Sequence, residues 1–430
     1  MPSRKAEIDT LVVGAGPHAL TVVSRWICER PARVDDVVIV DPAGTWMQEW
    51  YRQLHRQRID VLRSPGVHHP DPDAMALLHA HRFRTQPTCR GGSAGKGALR
   101  GPLRRPATGA FDHFCRNLVT RTGLTDRVVQ ARVVQLVPIT DAASPWRWEA
   151  ALSDGARLRV RQVVWAGNPR VRCVPAEVEL ADAVMHSGEV DVATAGPGQR
   201  IAVLGGGQTA GQLALEAARA GAEVALISRG PRRVVELDVE AGWLMDDHLV
   251  PFRSIADLGE RRRVAERARR GSMSTDLVDD LARSAVRWFA DAGELSARPD
   301  GEGAVVGVAG ARIDVDRVWV ATGSTPDLRA EPVLARRAAD GAPHVDGWPI
   351  LDDRLRWEDG LLIVGGLAAL TLGPAAGNLG GARAAAELLA DDGPVVPDRA
   401  PTHPTTPGAG RFCAVHGRRG DRNRAEDNHG

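Results

Sequence analysis

Thr10-Leu11-Val12-Val13-Gly14-Ala15-Gly16-Pro17-His18-Ala19 decides the fold, and Ile201-Ala202-Val203-Leu204-Gly205-Gly206-Gly207-Gln208-Thr209-Ala210 repeats its logic in the second half of the chain. Each stretch is an apolar run of strand length, then a G-x-G-x-x-A turn, then a helix-forming run. In that context the turn is a dinucleotide-binding fingerprint. Its first glycine permits the tight turn, its second lets the backbone approach a pyrophosphate, and the helix N-terminus receives the charge. Two such turns predict two dinucleotides in one chain, usually a flavin and a nicotinamide. The fold class that follows is α/β with two Rossmann-like dinucleotide-binding domains.

Outward from the first turn, residues 19–28 read as its helix and 37–40 as the second strand. Asp41 ends that strand, where an acidic residue hydrogen-bonds the adenosine ribose. Residues 85–110, rich in Gly, Pro, Arg and Ser without periodicity, predict a mobile surface loop. A helix is expected at 111–120. Antiparallel strands are expected at 128–137, 146–152 and 158–160, then a buried strand at 163–167. Outward from the second turn, 212–220 reads as a helix and 224–227 as a strand. That strand ends in Ser228-Arg229, with no acidic residue. Arg229, Arg232 and Arg233 stand there instead, which suits a ribose 2′-phosphate and favours NADPH over NADH. The competing reading is plain surface charge in an arginine-rich chain. Two more buried strands, 317–323 and 361–366, precede a helix at 378–390. A strand and helix returning after the second unit imply interleaving. The FAD domain would comprise residues 1–170 and 326–393, with an NADPH domain, 171–325, inserted between crossings near 166–183 and 322–326. Residues 394–430 have the composition of a disordered tail.

The chain has 430 residues, 43% of them hydrophobic, and a formal net charge of +1. Such a balance argues against nucleic acid or a membrane surface as partner. No run approaches the roughly 18 apolar residues of a membrane span. Residues 1–9 are too polar for a secretory signal, so a cytoplasmic protein is expected. Cys28, Cys89, Cys115, Cys173 and Cys413 form no C-x-x-C, so neither a redox dithiol nor a metal site is expected. His68-His69 beside Asp71 and Asp73 lacks ligand spacing, since neighbouring side chains on an extended strand point apart.

Taken in order, these landmarks resemble the flavin-dependent monooxygenases with separate FAD and NADPH domains, in the branch of lysine/ornithine N-monooxygenase-like proteins. The resemblance covers residues 8 to 390. It is carried by the two glycine turns, by Leu62-Arg63-Ser64-Pro65-Gly66-Val67-His68-His69-Pro70, by Met185-His186-Ser187-Gly188-Glu189 and by Ala321-Thr322-Gly323. The terminal stretch Gly373-Pro374-Ala375-Ala376-Gly377-Asn378-Leu379-Gly380-Gly381-Ala382-Arg383 completes it. The segments Leu237-Asp238 to Gly242-Trp243 and Arg270-Gly271-Ser272 are also similar. The chain departs from the family pattern in two ways. The lysine and asparagines that hold an amino-acid substrate have no matching positions, and the Baeyer–Villiger signature before the histidine is replaced by Ala183-Val184-Met185.

The resemblance implies FAD and NADPH as cofactors. It implies a C4a-hydroperoxyflavin that passes one oxygen to a nucleophile, with an amine nitrogen as the first expectation. Partners are then a small-molecule substrate and dioxygen, with a homo-oligomer left open. For FAD it implies Gly14, Gly16, Pro17, His18, Asp41, Trp46, Arg63, Ser64, Asn378 and Leu379. For NADPH it implies Gly205, Gly207, Gln208, Thr209 and Arg229, and it adds Thr322 and Gly323, before the chain re-enters the FAD domain, as cofactor-binding. His69, Arg63 and Asn378 are the candidate catalytic residues. The alternatives are an oxidase or dehydrogenase that needs no external NADPH, a Baeyer–Villiger or sulfur monooxygenase, and a non-catalytic flavoprotein sensor.

Overall fold

Continuous apolar runs become strands buried on both faces, and that accounts for the centre of the molecule. Leu11, Val12, Val163 and Val164 are fully buried. A computed structural model describes residues 7–84 and 99–390. In it, five parallel strands run in the order Leu361–Ile363, Arg157–Trp165, Glu7–Val13, Val37–Asp41, Val128–Gln130. Val12 pairs with Ile39 on one side and Val164 on the other. Helices Pro17–Glu29, Thr108–Arg121 and Leu379–Leu388 belong to one face. Helix Pro332–Ala339 and strands Val133–Pro138 and Trp148–Leu152 belong to the other.

The second sheet is also parallel, in the order Val184–His186, Arg317–Val320, Arg200–Leu204, Glu223–Ile227, Arg287–Phe289. Helices Gln208–Arg219 and Thr275–Arg283 cover one face. The antiparallel strands Leu295–Asp300, Gly303–Val308 and Ala311–Val315 cover the other. The chain crosses between the sheets twice, at Arg170–Arg172 and Ser324–Pro326, and these two segments pair antiparallel. The fold is therefore two Rossmann-like units, the second inserted into the first.

Three expectations change. Residues 128–137 are not one strand. Val128–Gln130 joins the parallel sheet, whereas Val133–Pro138 turns away to pair antiparallel with Trp148–Leu152. Of the loop expected at 85–110, residues 85–98 lie outside the described residues. Beyond them, Leu99–Arg100 pairs with Arg105–Pro106 and the helix already starts at Thr108. Arg105 is buried, with its guanidinium 2.8 Å from Asp276 of the second unit. Third, helices Asp246–Ser254 and Leu258–Ala268 belong by sequence to the inserted unit, yet Phe252 and Ala265 share a core with Trp26 and Leu370 of the first. The tail expected at 394–430 lies outside the described residues. Among the described residues no helix is long and apolar enough to cross a membrane.

Candidate cofactor sites and the cleft between them

The first glycine turn is built by its own hydrogen bonds. Gly14 adopts a φ of +99°, a region that disfavours any side chain. Its N–H donates to Val40 at 2.8 Å. A Cβ there would meet the backbone of Ala166 and Gly167. Asp41 holds the turn from the other side, its carboxylate accepting from Ala15 N–H at 2.9 Å and Ala43 N–H at 2.8 Å. Each oxygen retains acceptor capacity for a ribose hydroxyl. Gly16 is the N-cap of helix Pro17–Glu29, and a Cβ on it would meet nothing within 4 Å. Pro17 at N1 gives up a donor that would have no partner anyway. Gly14, Gly16, Pro17 and His18 all keep accessible surface, so this turn is open to an anion.

The second turn has the same backbone logic, with a closer neighbour beside its second glycine. Gly205 adopts a φ of +150°, with its N–H on Ile227 at 2.8 Å. A Cβ on it would strike the Ala321 carbonyl. Gly207 caps helix Gln208–Arg219. A Cβ on Gly207 would lie 3.4 Å from the Gly271 Cα, and one on Gly271 would lie 3.2 Å from the Gly207 N. The chain's own Gly271-Ser272 thus packs beside the turn. Gln208 helps to hold it there, accepting from Ser274 N–H at 2.9 Å. Thr209 stays half-buried in the first turn of the helix. Arg229 is exposed, Arg232 stacks over the Trp288 ring at 4.2 Å, and Arg233 donates to the Arg270 carbonyl at 3.3 Å. The segment expected to bind the 2′-phosphate is cationic, with Arg229 free of ion pairs among the described residues.

Three separate segments form a cleft. Arg63, Ser64 and His68 come from the first, Asp238 and Leu244 from the second, and Asn378 from the third. Asn378 caps helix Leu379–Leu388, its Oδ1 accepting from Gly381 N–H at 2.9 Å. That orientation leaves the amide nitrogen for a ligand. Leu379 is buried behind it. A Cβ on Gly380 would lie 3.2 Å from His68 and 3.3 Å from Asn378, so Gly380 keeps these two side chains together. Burial and the charge of Arg383 depress the His68 pKa, leaving a neutral imidazole.

Three expected site residues have their polar groups engaged by the protein itself. His69 is fully buried, edge-on to Phe114 at 4.9 Å, with Nε2 donating to the Ala74 carbonyl at 3.1 Å. Burial holds its pKa at about 4. Its neighbour His68 is the one that lines the cleft, because adjacent side chains diverge. Arg63 lines the cleft but gives its hydrogen bonds to the protein. Nε donates to the Glu236 carbonyl at 3.3 Å, Nη1 to Asp238 and the Ser272 carbonyl, and Nη2 to the Val235 carbonyl and Ser272 Oγ. Those five donors exhaust a guanidinium, so Arg63 is a strut between the two units. Trp46 is buried, its indole N–H donating to Leu124 at 2.9 Å.

Thr322 and Gly323 lie at the crossing. Gly323 takes a φ of +87°, and its carbonyl accepts from Cys173 N–H and from His186 Nε2, each at 3.0 Å. Thr322 donates to the Cys173 carbonyl. Residues missed in the sequence are Arg269 and Arg170; neither sits in a recognisable motif, and only the packing of distant segments reveals them. Gly271 stands in a segment similar to the family, but without a role. Among the described residues no cluster of His, Cys, Asp and Glu has the makings of a metal site.

No protein-family model and no curated protein matches the sequence. Solved structures do match in shape. One is the ornithine N-hydroxylase of Kutzneria sp. 744, described with reduced FAD, NADP+ and L-ornithine; it is 16% identical, with a TM-score of 0.70 over 90% of this chain and 98% of that one. Another is the FAD-bound cadaverine monooxygenase of the desferrioxamine pathway of Erwinia amylovora, 16% identical with a TM-score of 0.68 over 95% and 100%. A third is the L-lysine 6-monooxygenase of Pseudomonas syringae, 16% identical with a TM-score of 0.66 over 90% and 98%. At this identity the likeness is one of fold, and it runs through both dinucleotide units and the crossings between them.

Proposed function

We propose that this chain is an FAD- and NADPH-dependent monooxygenase that oxygenates the nitrogen of a small-molecule amine. The observation that carries the reading is the first glycine turn, open at Gly16 and followed in space by a cleft into which His68, Asp238 and Asn378 converge. The residues fit FAD. Gly14 and Gly16 admit the pyrophosphate, Asp41 has acceptor capacity for ribose, and the Asn378 amide with the helix behind it faces negative charge favourably. Bound FAD supplies the means to take a hydride from NADPH and to activate dioxygen. The chain contributes the rest. His68, neutral and at the cleft wall, accepts or returns a proton at an imidazole nitrogen. Arg63 keeps the second unit registered over the first. The structural relatives named above act on ornithine, cadaverine and lysine, which supports an amine as the substrate class. FAD then belongs to residues 1–170 and 326–393, and NADPH to 171–325.

One observation favours a second reading. Gly271-Ser272 packs against Gly207 of the second turn, which narrows the approach to it and suits an oxidase that takes electrons from its substrate. Anaerobic mixing of the purified protein with NADPH decides between them. The proposal expects the flavin absorbance to bleach, and an amine then supplied with oxygenated buffer to be recovered as its hydroxylamine. Flavin that resists NADPH but bleaches with an amine substrate would establish the oxidase.

A further inference from the structure

Near the junction of the sheets stand two guanidinium groups without an ion-pair partner among the described residues. Arg269 is the C-cap of helix Leu258–Ala268 in the inserted unit. Its Nη1 donates to the Pro374 carbonyl at 3.3 Å. A Cβ on Gly377 would lie 2.9 Å from that same nitrogen. Arg170 stands on the crossing ribbon, with Nε on Ser324 Oγ and Nη2 on the Ser324 carbonyl, both at 2.6 Å. Among the described residues neither has an ion-pair partner. Each is partly buried, and the charge of Arg269 bears on both Arg170 and His18. Arg170 pairs across the ribbon with Pro326, which lies 2.8 Å from where a Cβ on Gly366 would be. The carboxylate nearest in effect to Arg269 is Asp238, which is already held by Arg63 at 3.1 Å.

Like charges partly withdrawn from water repel one another unless an opposite charge joins them. The position of the pair says what that charge belongs to. His18, in the first turn of helix Pro17–Glu29, bonds the Ala376 carbonyl at 2.9 Å. Its ring lies 3.8 Å from where a Cβ on Gly365 would be. A Cβ on Gly377 would also lie 3.3 Å from the Gly366 Cα. The first glycine turn and Arg269 therefore bear on the same pair of loops, 365–366 and 374–377.

We propose that Arg269 and Arg170 complete the first dinucleotide site, the inserted unit lending a cation that neutralises the negative charge of bound FAD. Two parts of the ligand carry such charge: the pyrophosphate in either redox state, and the ring once reduced. This inference rests on reading the first turn as the FAD site.

The test titrates FAD into the full-length apoprotein by fluorescence quenching, at low and high salt, and measures the flavin midpoint potential by dye-coupled reduction. Arg269→Gln is expected to weaken FAD by about 10- to 100-fold, the usual worth of a hydrogen bond to a charged group, and to flatten the salt dependence. Arg269→Lys restores most of the affinity. Arg267→Gln, two residues away and paired with Glu260 at 2.7 Å, leaves it unchanged. Lost affinity for oxidised FAD assigns the charge to the pyrophosphate; intact affinity with a lowered potential assigns it to the reduced ring. Arg170→Gln is read in the same titrations and carries the test should Arg269→Gln fail to fold. If the wild type binds FAD but folded variants change neither affinity nor potential, the inference is overturned alone. A wild type that binds no FAD overturns the functional reading and this inference together.

Discussion

His69 shows how one enclosed side chain ties stability to pH. Its ordinary pKa of 6.5 falls to about 4, mainly through burial and then through the Arg383 charge, against the Ala74 hydrogen bond and the Asp73 charge. The folded state therefore holds the neutral ring, while the unfolded chain takes up the proton first. This contribution is complete above the unfolded pKa and is lost as pH falls from about 6.5 towards 4. Between pH 7 and pH 5 that is about 2 kcal/mol of stability. His69→Gln keeps a donor for Ala74 and removes the titration, so urea unfolding of the variant is expected to be less pH-dependent than wild type by about that amount. The same variant leaves the rate of flavin reduction by NADPH within about threefold, since His69 does not reach the cleft; a loss beyond tenfold would return it to the reacting groups. His68→Gln is the variant expected to slow product formation. The sequence points to this histidine pair through its neighbourhood, but which of the two faces the cleft depends on Phe114 and Ala74, and no local pattern encodes that.

At the level of elements, the two glycine turns differ in what their glycines are for. Gly16 has a φ of −83° and empty space beyond its missing Cβ. Gly16→Ala is expected to fold with an unchanged melting temperature and to weaken FAD at least tenfold, since a methyl then stands where the pyrophosphate approaches. Gly205 combines a φ of +150° with the Ala321 carbonyl against its missing Cβ. Gly205→Ala is expected to lose about 3 kcal/mol or fail to fold. Equal melting temperatures for the two variants would refute this division of roles. The strand–turn–helix units were legible because each is written within one continuous stretch of sequence. Helices Asp246–Ser254 and Leu258–Ala268 were not. The first contains Pro251, and the second exposes Arg263 and Arg267 and buries only Ala265, so neither carries an apolar stripe. Nor does any local pattern announce that Gly271 folds over Gly207, a contact between distant segments that arises from tertiary packing.

The whole molecule is held together by more than the ribbon that joins its two sheets. Arg63 spends its donors on the segment from Val235 to Ser272, Arg105 reaches Asp276 at 2.8 Å, and Phe252 and Ala265 are packed into the first unit's core. Domains linked only by short crossings would unfold separately; these share a core and buried charge. Urea unfolding followed by tryptophan fluorescence and by flavin release is therefore expected to give one coincident transition. Trp26 and Trp348 report the first unit, and Trp319 reports the second. Arg63→Ala leaves Asp238 and two backbone carbonyl segments without their cation and is expected to cost about 3 kcal/mol. Phe252→Ala empties the shared core at a further 3–5 kcal/mol on the order of other buried aromatics. Because both changes strike the seam rather than either sheet, the double variant should separate the two signals, with flavin leaving before the second unit's tryptophan is exposed. Separate transitions in the wild type would mean that the ribbon alone joins the units and that the seam contributes little. A single transition that survives both substitutions would place the coupling in the charge Arg269 brings to the first site, and adding FAD would then raise the shared midpoint.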